Sequence, residues 1–287
     1  MNEDNYIPYL KLADHLDIQG GDILIIASDL TRLAFQAKRN EGGFDMDAFI
    51  DSFINKLGEE GTLVLPAYNF MLRSGSIFDP SITIPATGAM PIAAFRRKDF
   101  IRTRHPLHSF LVSGHRAGDL QSLGNRSSFS GDSPFAKFCE WNAKMLFIGT
   151  NVAQAFTYVH HVEETEQVRY RKYTRLRIRY HREGGFFAVE EILFFRKRWG
   201  WTMNLRQLQD ILLKEIMESR IINKIKCSML QIRKADGIIR GDITGNKARN
   251  IAHFEGKLYL RDMIKHFLKY FHIYKTTQDK INDGTGL

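Results

Sequence analysis

The stretch "FTYVHHVEE", residues 156–164, sets two adjacent histidines one residue ahead of two glutamates. Histidine titrates near neutral pH, and a carboxylate within reach can orient its ring and balance its charge, which is the equipment of a general base. On a helix, positions three and four apart share a face, so His160 would lie near Glu163 and Glu164 while His161 turns away. Three readings are open: a base that removes a proton from an attacking amine, a metal site, or an ordinary surface turn with His–Glu ion pairs. A metal site needs a third protein ligand, and H-E-x-x-H is absent, so no metal is expected. In "RTRHPLHSF" (102–110), His105 precedes a proline that holds it outside regular helix, just ahead of a strand, where loop residues often carry function. "FSGDSPFAKF" (129–138) is a loop feeding a helix N-terminus, whose free amides favour anionic or polar ligand atoms.

These residues need a scaffold. Apolar runs bounded by Gly or Pro recur as "GDILIIAS" (21–28), "GTLVLP" (61–66), "SFLVSG" (109–114) and "KMLFIG" (144–149), each of a length for a buried strand. Between them lie helix candidates "FDMDAFIDSFINKLG" (44–58), "TGAMPIAAFRRK" (87–98) and "SPFAKFCEWN" (133–142), the last with Ser133 as cap and Pro134 in its first turn. This alternation predicts a layered α/β fold. Beyond residue 170, "TRLRIRY" and "GFFAVEEILFF" read as hairpin strands around Glu183-Gly184-Gly185. A helix over 205–221, a strand over 225–233 and a helix over 258–274 follow. No repeat or low-complexity linker interrupts the chain, so residues 1–287 read as one domain of two interlocked halves, 1–165 and 166–287.

Composition narrows the class. The 287 residues, 44% hydrophobic, can bury a full core. No run approaches the roughly 20 apolar residues of a membrane helix, and "MNEDNYIPYL" lacks the regions of a signal peptide, so a cytoplasmic location is expected. Cys139 and Cys227 form neither a disulfide framework nor a zinc motif. The net charge of +9 is segregated: residues 1–164 carry 15 Lys+Arg against 19 Asp+Glu, and residues 165–287 carry 26 against 13. The densest basic runs are "RYRKYTRLRIRYHR" (169–182) and "FFRKRWGW" (194–201), which either form solvated strand faces or attract phosphates. Period-two alternation puts Arg175, Arg177 and Arg179 on one side and Leu176, Ile178 and Tyr180 on the other. Neither the P-loop nor a G-x-G-x-x-G after a strand is present, which disfavours nucleotide hydrolysis and dinucleotide redox chemistry; the missing G-x-S-x-G leaves little for a serine hydrolase.

Six blocks in order, "GDILIIASDLTRL" (21–33), "GTLVLPAYNF" (61–70), "FDPSITIPATGAM" (78–90), "RTRHPLHSFLVSG" (102–114), "GDSPFAKF" (131–138) and "KMLFIGTNVAQAFTYVHHVEE" (144–164), resemble the aminoglycoside 3-N-acetyltransferase family, especially members from bacterial surface-polysaccharide and amino-sugar pathways. The likeness continues into "VRYRKY" (168–173) and then fades. It implies an α/β/α antibiotic N-acetyltransferase-like fold with a mixed sheet and a strand-rich second half, and direct acetyl transfer from acetyl-CoA, used as co-substrate, to an amine. The family's T-x-x-H-x-x-E segment falls on Thr157, His160 and Glu163. This makes His160 the base with Glu163 or Glu164 steering it; a slip of one residue would select His161. The resemblance assigns Ser28, Asp29, Leu30, His105, Ser109, Asp132 and Ser133 to the coenzyme, and Tyr68, Asn69, His161 and Arg169 to the acceptor.

The basic second half departs from what a polycationic antibiotic needs, since "FFRKRWGWTMNL" (194–205) bears no carboxylate where resistance enzymes of the family place acidic residues. It suits an anionic acceptor such as an amino-sugar nucleotide, or the phosphates of coenzyme A. The expectation is therefore N-acetylation of a nucleotide-linked amino sugar in surface-polysaccharide synthesis. The alternatives are an aminoglycoside 3-N-acetyltransferase conferring resistance, transfer of another acyl or one-carbon group, and an inactive relative that binds anionic ligands. A homodimer is compatible with it; no nucleic acid partner and no membrane insertion are expected.

Overall fold

A computed structural model describes residues 6–182 and 185–268. The first half runs β1 (Ile23–Ser28), α1 (Thr31–Glu41), α2 (Met46–Leu57), β2 (Thr62–Tyr68), β3 (Ile77–Phe78), α3 (Ala89–Phe95), β4 (Ile101–Arg102), β5 (His108–Gly114), α4 (Ala117–Ser122), α5 (Pro134–Glu140), β6 (Lys144–Ile148), α6 (Val152–Ala155) and α7 (Val159–Thr165). The second runs β7 (Arg171–His181), β8 (Phe187–Lys197), β9 (Trp201–Met203), α8 (Arg206–Glu215), β10 (Glu218–Ile222), β11 (Ile225–Gln231), α9 (Ile232–Gly245) and β12 (Ala252–Phe254), then a helix over 256–268, α10.

Seven strands form one mixed sheet in the order β10-β11-β6-β1-β2-β5-β4. Its centre, β6-β1-β2, is parallel and its flanks are antiparallel. All four apolar runs of the first half are strands here, because a strand covered on both faces must be apolar throughout. Leu24 and Ile26 pack with Leu33, Phe49 and Phe53 on one face; Ile25 packs with Phe110, Phe138, Val159 and Ile239 on the other. Helices thus cover both sides of the sheet, the α/β/α layering. A second sheet, β3-β7-β8, buries Phe78, Ile178, Tyr180 and Ile192 and leaves Arg175, Arg177 and Arg179 exposed, as the alternation predicts.

Several sequence expectations change: the strand expected over 225–233 ends at Gln231, and α9 begins at the next residue. The helix expected over 205–221 stops at Glu215, and Glu218–Ile222 is strand β10. Asn223 and Lys224, at φ 51° and 62°, make the two-residue turn that pairs β10 with β11, and this pairing outcompetes helical periodicity. Helix α1 was not anticipated, since its buried stripe is only Leu33 and Ala37. Of the expected turn at Glu183-Gly184-Gly185, Glu183 and Gly184 lie outside the described residues, as do residues 269–274 of the expected last helix. Among the described residues no helix is long and apolar enough to cross a membrane.

Candidate functional site

In the sheet order, β2 lies on one side of β1 and β6 on the other, so the connections from these parallel strands run to opposite sides and leave a crevice at the strands' carboxyl ends. Gly149 closes β6 at φ +66°, where a Cβ would meet the Asp29 carbonyl oxygen at 2.3 Å; only glycine admits this approach. Asn151 then accepts a hydrogen bond from Gln154 N at 3.1 Å and starts α6, after which α7 carries the His-Glu segment back over the sheet. Val159 and Val162 anchor α7 in the core, which sets the rotation of His160 and Glu163.

His160 Nδ1 lies 2.7 Å from Glu163 Oε2. Tyr170 donates to Glu163 Oε1 at 2.8 Å, and Arg171 Nε stands 2.6 Å from Oε2 as an ion pair without hydrogen-bond alignment. Arg171 Nη2 also lies 2.9 Å from His160 Nδ1. A carboxylate can only accept, so in the bond to Glu163 Nδ1 carries the proton and Nε2 keeps the lone pair; Arg171 Nη2, itself a donor, then meets Nδ1 as a close contact and not as a hydrogen bond. Among the described residues the polar contacts of the His160 ring fall on Nδ1, and the side chain is 24% exposed, whereas the Glu163 side chain is fully buried.

Burial, reinforced by the Arg171 charge, holds the His160 pKa below its ordinary value against the opposing pull of Glu163. The ring is therefore neutral at pH 7, the form that accepts a proton. Burial pushes the Glu163 carboxyl up, but His160, Arg171 and Tyr170 outweigh it and the net direction is down, so Glu163 is ionised. A neutral imidazole backed by a fixed carboxylate can take a proton at Nε2 and share the resulting charge.

Two cavities open along the crevice. The outer one, about 680 Å³, is lined by Asp29, Thr31, Arg32 and Phe35 after β1, and by Gly149, Thr150, Asn151, Gln209 and Lys226. The inner one, about 240 Å³, runs past Ser28, Pro66, Tyr68, Phe70 and Pro91 to Thr150, Gln154 and Thr157. Thr150 belongs to both. Arg32 and Lys226 give the outer cavity cations for phosphate, while Tyr68, Phe70 and the two prolines make the inner one an apolar sleeve. His160 is not among the lining residues; it lies one turn beyond Thr157, whose carbonyl accepts the His160 N–H at 3.0 Å.

The expected site residues divide accordingly. Ser28, Asp29 and Tyr68 line the cavities. Glu164 turns from His160 and accepts from Ser127 Oγ at 2.8 Å. His161 is buried and its Nδ1–H donates to the Phe129 carbonyl at 2.7 Å. Ser109 is sealed, bonding Arg102 and the Ala67 carbonyl, and Asn69, oriented by its network, accepts from Arg102 Nη2 at 2.7 Å and donates to the Ile84 carbonyl. Leu30 packs in the core, and the Ser133 hydroxyl is buried without a partner among the described residues. Asp132 is exposed and bonded to Ser130; Arg169 is exposed. His105 is buried, with a pKa lowered by burial to about 4, and joins His108 through Ser128: His108 N donates to His105 Nδ1 at 3.3 Å, and Ser128 Oγ lies 2.8 Å from His108 Nδ1. The His108 ring packs at a tilt against Phe129, centroids 4.7 Å apart, and Phe129 meets the His160 ring edge-on at 5.3 Å.

Sequence reading missed Arg171, Tyr170 and His108. Arg171 and Tyr170 follow the dyad within "VRYRKY", but a basic run gives no sign of which arginine turns inward. His108 stands in the motif that yielded His105, one position before the strand expected over 109–114.

The aminoglycoside 3-N-acetyltransferase family model matches residues 26–238. The aminoglycoside N(3)-acetyltransferase IX of Micromonospora chalcea is 26% identical over 182 residues, 56% of this chain and 62% of the relative, so the match spans under two thirds of that relative's length. Among solved structures, AAC-IIIb in binary complex with CoASH superposes with a TM-score of 0.69 at 16% identity, covering 88% of this chain and 98% of that one. The apoenzyme of aminoglycoside acetyltransferase AAC(3)-IVa gives 0.66 at 20% identity, over 86% and 92%. These two likenesses concern the fold. The family match runs from β1 into α9 and so takes in the crevice, both cavities and the His160–Glu163 pair: the chain belongs to the aminoglycoside 3-N-acetyltransferase family.

Proposed function

We propose that this chain is an acetyl-CoA-dependent N-acetyltransferase whose acceptor is an amino sugar of the aminoglycoside class, with His160 as general base. The observation that carries the reading is the buried Glu163 carboxylate 2.7 Å from His160 Nδ1, which leaves Nε2 as the free acceptor beside the crevice. Acetyl-CoA is the second substrate. Its phosphates suit Arg32 and Lys226, and its thin arm suits the sleeve of Pro66, Tyr68 and Phe70; the thioester supplies the acyl group.

His160 Nε2 removes the proton from the acceptor amine as its nitrogen attacks the thioester carbonyl; the C–S bond then breaks, the amide is released, and coenzyme A leaves as a thiolate that takes the proton back from the imidazolium. Glu163 holds the ring in the required tautomer and balances the imidazolium that forms. Arg171 keeps that carboxylate ionised and disfavours a premature proton on the ring. Neither Cys139 nor Cys227 is needed; burial raises the Cys227 thiol to about 12, which makes it inert as a nucleophile. Proximity supplies much of the remaining acceleration, since two substrates meeting in one crevice react as one.

The expectation of a nucleotide-linked acceptor becomes a second reading. The named relatives favour the aminoglycoside class, while the exposed Arg175, Arg177 and Arg179 on β7 favour an anionic acceptor. Steady-state acetylation of aminoglycosides and of amino-sugar nucleotides under identical conditions decides between them. His160→Ala should lower turnover by about 10²–10⁴-fold and leave coenzyme A binding intact. Turnover within tenfold of the unaltered protein would remove His160 from this role.

A further inference from the structure

Helix α10 lies beyond the family match, which ends at residue 238. One side of it is attached: Gly200 N donates to Asp262 Oδ2 at 3.2 Å, the His266 ring lies 4.8 Å from Trp199, and Tyr259 packs against Phe254. Residues 259, 262 and 266 share that side by helical spacing. The adjoining arc carries Leu260, Met263, Ile264 and Leu268, and these are exposed by 53%, 41%, 53% and 61%. The arc continues into Lys257, Arg261 and Lys265, all exposed. An apolar stripe open to water costs free energy, and one edged by cations has the form of a helix lying in a bilayer interface.

The surface beside the helix repeats the pattern. "FFRKRWGW", unexplained by the acyl-transfer site, meets α10 at Trp199 and Gly200 and carries exposed Arg196 and Lys197 just before them, with Lys172 Nζ 5.9 Å from the Trp199 ring. In the β7–β8 register the exposed Lys172 faces the exposed Arg196. Like charges directly opposed are unfavourable unless an anion meets them. The one carboxylate within the described part of α10, Asp262, accepts from Gly200 N and lies 3.8 Å from the exposed Arg261, leaving Lys257 and Lys265 without a carboxylate on the helix.

We propose that α10 and the adjoining Arg196–Trp199 segment dock this protein on an anionic lipid bilayer, with the Leu260, Met263, Ile264 and Leu268 stripe in the interface and the lysines and arginines against the headgroups. Charge selects this occupant. A second copy would bring the stripe's cations against their own kind, whereas phosphate headgroups neutralise them. The proposal does not depend on the acyl-transfer reaction, so the two stand or fall separately.

Co-sedimentation of the full chain with vesicles tests it, comparing phosphatidylcholine alone with phosphatidylcholine containing phosphatidylglycerol. The three cations of α10 alone predict binding to the anionic vesicles on the order of 100-fold tighter, weakening with salt. Leu260→Ser, Ile264→Ser and Leu268→Ser together should abolish it at unchanged melting temperature, since these side chains leave no core. If that variant folds poorly, Lys257→Glu, Arg261→Glu and Lys265→Glu together carry the test and should abolish binding likewise. Equal partition onto both vesicle types, or binding that survives the substitutions, overturns the proposal. So does a lipid-free dimer that the stripe substitutions dissociate.

Discussion

Replacing Glu163 by glutamine keeps the side chain's shape and removes its charge, which isolates what that charge does. The carboxylate is fully buried and meets Tyr170, His160 and Arg171 within 2.6–2.8 Å. Arg171 is itself buried, its side chain 5% exposed, and its other contacts are the Phe195 carbonyl, the Met203 sulfur and the His160 ring. The substitution leaves a guanidinium in the interior without a counter-charge, a loss of about 3 kcal/mol, at the low end for breaking a buried pair because the Phe195 carbonyl remains. Chemical denaturation at pH 7 reads this directly. The sign of the pH dependence follows from the lowered Glu163 pKa. A depressed carboxyl contributes stability above its unfolded value, near 4.5, and loses it as pH falls through the folded one. The gap between the two proteins should therefore be full at pH 7 and shrink as pH drops below about 4.5. Turnover should fall toward the low end of a positioned base's worth, about 10²-fold, because His160 persists without its orienting partner. A loss under about 1 kcal/mol at pH 7, or a gap that does not narrow in acid, would refute the charge network drawn here.

Two further outcomes follow from the same geometry. The lowered His160 pKa places the acid limb of kcat/KM below pH 6.5: activity is present above that limb, where the ring is neutral, and is lost as pH falls through it. A pH–rate profile with its limb above 6.5 would contradict the burial argument. Gly149→Ala drives a Cβ into the Asp29 carbonyl at a positive φ and should cost about 3 kcal/mol while weakening coenzyme A binding, read by calorimetry; an unchanged affinity would separate the outer cavity from the coenzyme.

The buried strands were legible because apolar runs of strand length between glycines have few other uses, and His160–Glu163 was legible because positions three apart on a helix must meet. Glu164 satisfies the same spacing rule from four residues away, yet it bonds Ser127; helical spacing names neighbours, and the loop packed against the helix decides between them. Arg171 could not be singled out from "VRYRKYTRLRIRY", because alternation separates two faces of a strand but not the strand end that enters the core. Strand β10 was hidden for the opposite reason: "EIMESRI" satisfies a helical pattern locally, and only its pairing with β11 reverses the preference.

Strand β6 is synthesised well before the segment that completes its pairing: β1 protects one edge, and β11, some eighty residues later, protects the other. During synthesis the nascent chain therefore holds a bare, apolar sheet margin for several seconds at ordinary ribosome speeds. Chains cut short before residue 225 would retain that adhesive border permanently, and should collect as inclusion bodies rather than as a free amino-terminal half.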